Sequence, residues 1–290
     1  MRTIRYIEKT SIAKICSSKV GTFLLLFLFY MWGACRPYVD FSREMDYPIS
    51  WCIFPFCMSS FSILSIYYIG MIYVNSDVPF MQHINMYQVI RAGRRRWAVG
   101  QLVGIGIRSF FLVAVSAAAV VLPFWGRLEF SSDWGKLIYT LASIRKSNGF
   151  YSERLVEFRF HYEILLEYTP LELMGLTILL CTLILTLLGL LMFFLSLYWG
   201  KACAVAGGLV FVLLLFVAEN TPGAVRQKAA HVIPAYWAEI ALAETPVSGH
   251  FRLPSLSYML LFLAASIGIL SFLICRKVRH VEFYWENEDA

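Results

Sequence analysis

From Leu173 to Ala218 the chain carries a single charged residue, Lys201. A helix needs about 20 apolar residues to cross a hydrocarbon core of about 30 Å, so this stretch holds enough for two passes with a turn between them. In such a solvent the backbone must satisfy its own N–H and C=O groups, and a run of this length does so as helix. Composition agrees. Hydrophobic residues make up 59% of the 290 and charged ones 15%, against about 45–50% and about 25% in a soluble domain. Disorder is excluded by the same figures, and a water-soluble globular enzyme does not fit them. The aromatic share of 16% suits rings placed at two membrane interfaces.

Six spans are expected: Val20 to Cys35, Trp51 to Val74, Ala98 to Pro123, Leu171 to Trp199, Ala202 to Ala218, and Ser255 to Cys275. The first and fifth are short, a mismatch met by an added turn or local thinning of the bilayer. The fold class expected is an all-α polytopic membrane protein with one transmembrane domain over 1–290. It divides into a cytoplasmic segment 1–19, spans one to three over 20–123 and an outer loop 124–170. Spans four to six over 171–275 and a tail 276–290 follow. Only Gly200 and Lys201 separate spans four and five, which makes them antiparallel neighbours. The N-terminus has the basic residues, apolar stretch and Gly33-Ala34-Cys35 ending of a signal peptide. Cleavage there would leave five spans and break the charge pattern, so an uncleaved first span is expected.

Basic residues near span ends set orientation. Arg2, Arg5, Lys9, Lys14 and Lys19 precede the first span. Arg91, Arg94, Arg95 and Arg96 precede the third, Lys201 lies between the fourth and fifth, and Arg276, Lys277 and Arg279 follow the last. These thirteen face six acidic residues on the same side, while the other side holds eleven basic and twelve acidic residues in longer loops. Both termini are therefore expected in the cytoplasm. In the outer loop Tyr151, Leu155, Phe158, Tyr162 and Leu165 share one helical face, an amphipathic helix lying on the membrane or capping the bundle. A second helical stretch is expected around Ala235 to Ala243, opened by Pro234.

The seven cysteines are scattered without a C-x-x-C pair, so no zinc or redox motif is supported. Packing as small apolar residues is expected, with pairing of Cys35 and Cys52 as the open alternative. No G-x-x-x-x-G-K-[ST] loop exists, since Gly200-Lys201 is followed by Ala202 and lacks the upstream glycine. ATP binding in the P-loop manner is thereby excluded, and no H-E-x-x-H, G-x-S-x-G or S-x-x-K constellation appears. His83, His161, His231, His250 and His280 are far apart in sequence.

The spans are nearly free of charge, which argues against coupling to an ion or proton pathway. Arg108 is the exception, about 16 Å along the helix from Trp97 at 1.5 Å per residue. Two placements are open for it: a translocation path or subunit interface, and snorkelling to the cytoplasmic headgroups. Gly100 and Gly104 form a G-x-x-x-G on the same span, a face suited to close packing within the chain or against a second copy.

The most distinctive stretch runs from Asn85 to Gln101, basic, helical and joined to the third span. A positive anchor on anionic lipid accounts for its arginines at about 1 kcal/mol each. Tyr87, Ile90 and Trp97 point further, to a surface that docks into a partner.

Arg91, Gly93, Arg95, Trp97 and Gly100 resemble the coupling helix of permease subunits of type-2 ABC exporters, of the Gram-positive bacterial type. In that family an arginine, a small residue, another arginine, an aromatic and a glycine lie between spans two and three. Ile4, Ile7, Ile12 and Ile15 resemble its amphipathic N-terminal helix, and Pro234 to Trp237 its outer proline-aromatic segment. The resemblance implies six spans in the plasma membrane and a coupling segment 84–97, with Arg91, Arg94, Arg95, Arg96 and Trp97 engaging a motor. It implies two copies of a separate ABC ATP-binding subunit that hold ATP and Mg, and a second permease chain as homodimer or heterodimer. This chain would hold no cofactor or metal of its own, catalyse nothing, and contact lipid but no nucleic acid. The substrate stays open among peptide antibiotic, drug, lipid and glycan. A non-transporting immunity or scaffold protein shares the hydropathy and needs no motor. A membrane-embedded enzyme would need His, Asp or Glu clustered inside the spans.

Overall fold

The computed structural model describes residues 15–76, 89, 93–146, 158, 160–243 and 253–280. The segment 1–14, most of the link 77–92, the stretch 151–157 and the tail 281–290 lie outside these. So do Ile4, Ile7, Ile12, Tyr87, Ile90 and Arg91 among the residues singled out above.

The described chain is mostly helical. Helix α1 spans Ser18–Met45 and stops where Asp46 takes a left-handed conformation (φ 53°), its N–H donating to the Ser42 carbonyl. Two helices follow, α2 (Phe54–Met58) and α3 (Phe61–Asn75), parted at Ser59 and Ser60. Helix α4 (Arg94–Val121) runs on into a 3-10 turn, Leu122–Phe124. Beyond it come α5 (Gly135–Lys146) and α6 (Tyr162–Glu167). Helix α7, Pro170–Asn220, opens with a capping box in which Thr169 and Glu172 satisfy each other's backbone N–H groups, as helix starts favour. Helices α8 (Gly223–Ala230) and α9 (Leu256–Val278) complete the set. Among the described residues four helices are long and apolar enough to cross a membrane: α1, α4 with its 3-10 turn, α7 and α9. Helix α3, although apolar, has 15 residues.

Helix α7 is not straight. At Gly200 the backbone takes φ 87°, ψ −179°, a conformation essentially confined to glycine. A Cβ added at Gly207 would stand 2.1 Å from the Leu195 side chain. Twelve residues of straight helix would part those positions by about 18 Å, so the chain doubles back and the limbs 170–199 and 201–220 lie antiparallel. The expected hairpin is present.

Ring and polar contacts give each limb's direction. Phe23 and Phe27 of α1 meet Tyr67 of α3 at 5.7 and 5.3 Å, while Lys19 donates to Ser76 at 2.9 Å. Trp97 and Ile105 of α4 meet Phe193 and Gly189 of α7. Phe61 and Tyr68 of α3 meet Phe216 and Phe211 on the returning limb. Successive limbs therefore alternate in direction. One end of the bundle gathers the start of α4, the Gly200 turn and the close of α9; we call it the basic end. The other holds the connections 46–60, 122–169 and 221–255 and is the cap end. Leu25, Leu26 and Phe29 of α1, Leu213 and Phe216 of α7, and Leu261 and Phe272 of α9 all point outward and are exposed, the surface that a bundle in lipid presents.

At the cap end Ile49–Ser50 and Leu128–Glu129 pair as a short parallel ladder, Ile49 opposite Leu128. Tyr38 stacks on Phe158 at 4.0 Å and its hydroxyl exchanges hydrogen bonds with the Phe158 backbone. Phe56 sits between Phe160 (4.6 Å) and Trp134 (5.4 Å). The expectation of one helix running from Tyr151 to Leu165 fails at its described half. Phe158 and Phe160 lie in irregular backbone, and helix begins only at Tyr162. Contacts with Tyr38 and Phe56 hold the two phenylalanines inside the cap, where helical spacing would send Phe158 to an outer stripe. The stretch after Pro234 forms two 3-10 turns, Pro234–Ala238 and Ile240–Leu242, with Tyr236 and Trp237 fully buried. All seven cysteines are free. Cys35 lies in hydrogen-bonding contact with Cys57, not Cys52.

Candidate functional site: the basic end and the Arg108 contact

Gly93 begins the site. Its φ of 80° belongs to the region where side chains are strained. Its N–H donates to the Val89 carbonyl at 2.9 Å and its own carbonyl accepts from Trp97 at 3.0 Å. One glycine thus closes the turn before it and opens α4 after it, forming an elbow.

Past the elbow the side chains divide. Arg94, Arg95 and Arg96 are exposed, whereas Trp97 is 1% exposed. Its indole meets Phe193 edge-on at 6.3 Å and packs with Val89, Ile105, Leu190, Ile274 and Val278. The docking anchor expected of Trp97 is therefore not on the open face. Its ring instead locks the elbow to the descending limb of α7 and to the end of α9. Arg94 adds a second tie, its Nη1 donating to the Arg279 carbonyl at 3.0 Å.

Three arginines in the first turn of a helix face the positive end of its dipole, an unfavourable place for cations, and no acidic residue shares that turn. Lys201, Arg276, Lys277 and Arg279 stand at the same end, Lys277 over the Tyr198 ring at 4.5 Å. All ten described carboxylates lie at the cap end: Asp40, Glu44, Asp46, Glu129, Asp133, Glu163, Glu167, Glu172, Glu219 and Glu239. The basic end thus presents the exposed Arg94, Arg95 and Arg96 on one face.

Deeper in α4, Arg108 turns inward. It is 8% exposed, and its Nη2 donates to the Asn75 Oδ1 at 2.6 Å. Asn75 is 1% exposed, held where α3, α4 and α7 meet. The approach is tight, for a Cβ at Gly189 would stand 2.7 Å from Ile105. Snorkelling along the helix surface is not the arrangement found. Gly100 is buried and Gly104 half-buried, so the first glycine of the G-x-x-x-G packs inside this chain.

The structure thus brings Arg94, Arg95 and Arg96 to one face, sets Trp97 behind them, and leaves Arg108 about 21 Å along α4 from Arg94. Sequence reasoning missed Asn75, taken as the first residue of a loop. The available signal was an amide closing an apolar run. Among the described residues no three His, Cys, Asp or Glu side chains gather as a metal site would require. No family model, no curated protein and no solved structure matches this chain.

Proposed function

We propose that this chain is the membrane-spanning permease subunit of an ATP-driven exporter of the type-2 ABC class, set in a bacterial plasma membrane. The six limbs that alternate in direction are its spans: α1, α2 with α3, α4, the two limbs of α7, and α9. Both termini then lie in the cytoplasm beside the basic end, as the positive-inside pattern requires. A soluble ATP-binding subunit, which holds ATP and Mg, docks there. Two such subunits and a second permease chain complete the transporter.

The observation that carries this proposal is the elbow at Gly93 to Trp97. Its outer side presents exposed arginines, and its inner side is wedged against α7 and α9 through one buried ring. Movement imposed on the arginines by a closing motor passes through Trp97 to two spans as a rigid-body shift. The arginines supply orientation and capture rate more than net affinity.

The test uses Arg95→Glu with Arg96→Glu, leaving Arg94 and its tie to Arg279 intact. Tagged full-length chain is recovered from solubilised host membranes, co-purifying chains are sequenced, and ATP hydrolysis is assayed. The wild type brings down a subunit bearing a P-loop together with ATPase activity. The double variant inserts normally and loses both. Equal recovery of that subunit by the two chains sinks the proposal, and so does the absence of any P-loop chain from the wild type.

A further inference from the structure

Two arginines of α1 stand at the cap end, away from the cationic face. Arg36 and Arg43 are two turns apart and so share a helix face, with Trp32 and Asp40 one turn from Arg36. These four, with Val39 and Pro123, line an open hollow of about 190 Å³. Asp40 is engaged by Arg43, Oδ1 to Nη1 at 3.7 Å. Arg36 has no ion-pair partner among the described residues, so the hollow carries a net positive charge at an end otherwise rich in carboxylates.

Depth identifies the anion. Pro123, on the rim of the same hollow as Arg36, lies about 39 Å along α4 and its 3-10 turn from Trp97, against a hydrocarbon core of about 30 Å. Arg36 therefore sits where the core meets the headgroups of the far leaflet, and Arg43 about 10 Å beyond it. Trp32, 58% exposed, and Trp125, 79% exposed, occupy the level that interfacial tryptophans prefer. Towards the bilayer centre the same stripe of α1 continues as Phe29 and Leu25, both outward and exposed. A cationic hollow above an apolar track matches an anionic amphiphile with its acyl chain pointing to the membrane centre. Paired guanidinium groups suit phosphate.

We infer that this hollow binds a phospholipid of net negative charge from the leaflet at the cap end. Its phosphate lies between Arg36 and Arg43, and an acyl chain runs along Phe29 and Leu25. The inference rests on the spanning arrangement proposed above, although not on the motor. The experiment reconstitutes the full chain in vesicles of phosphatidylcholine with one part in five phosphatidylglycerol, then extracts it and counts retained lipids by native mass spectrometry. Wild type retains phosphatidylglycerol. Arg36→Gln with Arg43→Gln holds it about tenfold more weakly, the loss expected of charge-assisted hydrogen bonds. Lys136→Gln, a cap-end change outside the hollow, leaves retention unchanged.

Equal retention by the double variant overturns the inference, as does an equal loss in Lys136→Gln, which marks diffuse charge. Inorganic phosphate is added as a competitor in parallel. If it displaces the lipid at matched concentration, the site takes free anions and the lipid assignment fails. Failure of the wild type to enter vesicles would instead sink the spanning arrangement.

Discussion

Arg108 and Asn75 meet at 2.6 Å inside the bundle, tying the middle of α4 to the last residue of α3. A guanidinium in apolar surroundings is costly unless its donors are met, and Asn75 supplies one acceptor from a neighbouring helix. Replacing Asn75 with Ala strands that donor and should cost about 1–3 kcal/mol. Thermal unfolding in detergent should show a lower Tm for Asn75→Ala than for the double variant Asn75→Leu with Arg108→Met, in which both polar groups are gone. A double variant worse than either single change would disprove the pairing.

The reversal at Gly200 is open to cross-linking. In a chain freed of native cysteines, Leu195→Cys and Gly207→Cys should join on mild oxidation, because the two positions touch. No cross-link is expected from a straight helix, where they would stand about 18 Å apart. Gly200→Ala should cost about 1–3 kcal/mol through its backbone conformation alone, read as a loss of folded protein on heating.

Trp97 and the arginines before it should separate cleanly. Trp97→Ala empties a buried site between α4, α7 and α9 and should destabilise the isolated chain by about 3–5 kcal/mol. Arg96→Glu, at an exposed position, should leave the isolated chain's Tm within experimental error. If Trp97→Ala leaves stability unchanged as well, the ring is not the wedge described.

Thiol labelling tests the packing of the cap end. Cys16 and Cys203 are exposed, while Cys35, Cys52, Cys57 and Cys181 are buried. A bulky water-soluble maleimide should reach Cys16 and Cys203 in the folded protein and the buried four only after denaturation. With every cysteine free, complete alkylation without a reductant should add seven labels by intact mass.

Much of the architecture was legible along the chain, because hydropathy and charge accumulate residue by residue. Nearly uncharged runs required helices, and the hairpin between two of them followed from there being too few residues for any other connection. Basic residues gathered at one end for the same local reason. The exposed arginines at 94–96 belong to this legible part.

Tertiary structure decided what depends on depth and azimuth between segments. Arg108 had two placements along the chain, a translocation path or interface and snorkelling to the headgroups; its burial against Asn75 is an arrangement neither described, and it exists because α3 ends at that level. Trp97 belonged to a basic elbow by sequence, yet the ends of α7 and α9 create an apolar gap that a ring fills better than water does. Phe158 had a helical spacing, but stacking on Tyr38 outweighed the periodicity. Cys35 interacts with Cys57 across twenty-two residues, a contact that spacing in the chain does not contain. Apolar runs require helices because hydrocarbon cannot satisfy a bare backbone; which side chains then meet is settled only when those helices pack and each polar group must find a partner at its own depth.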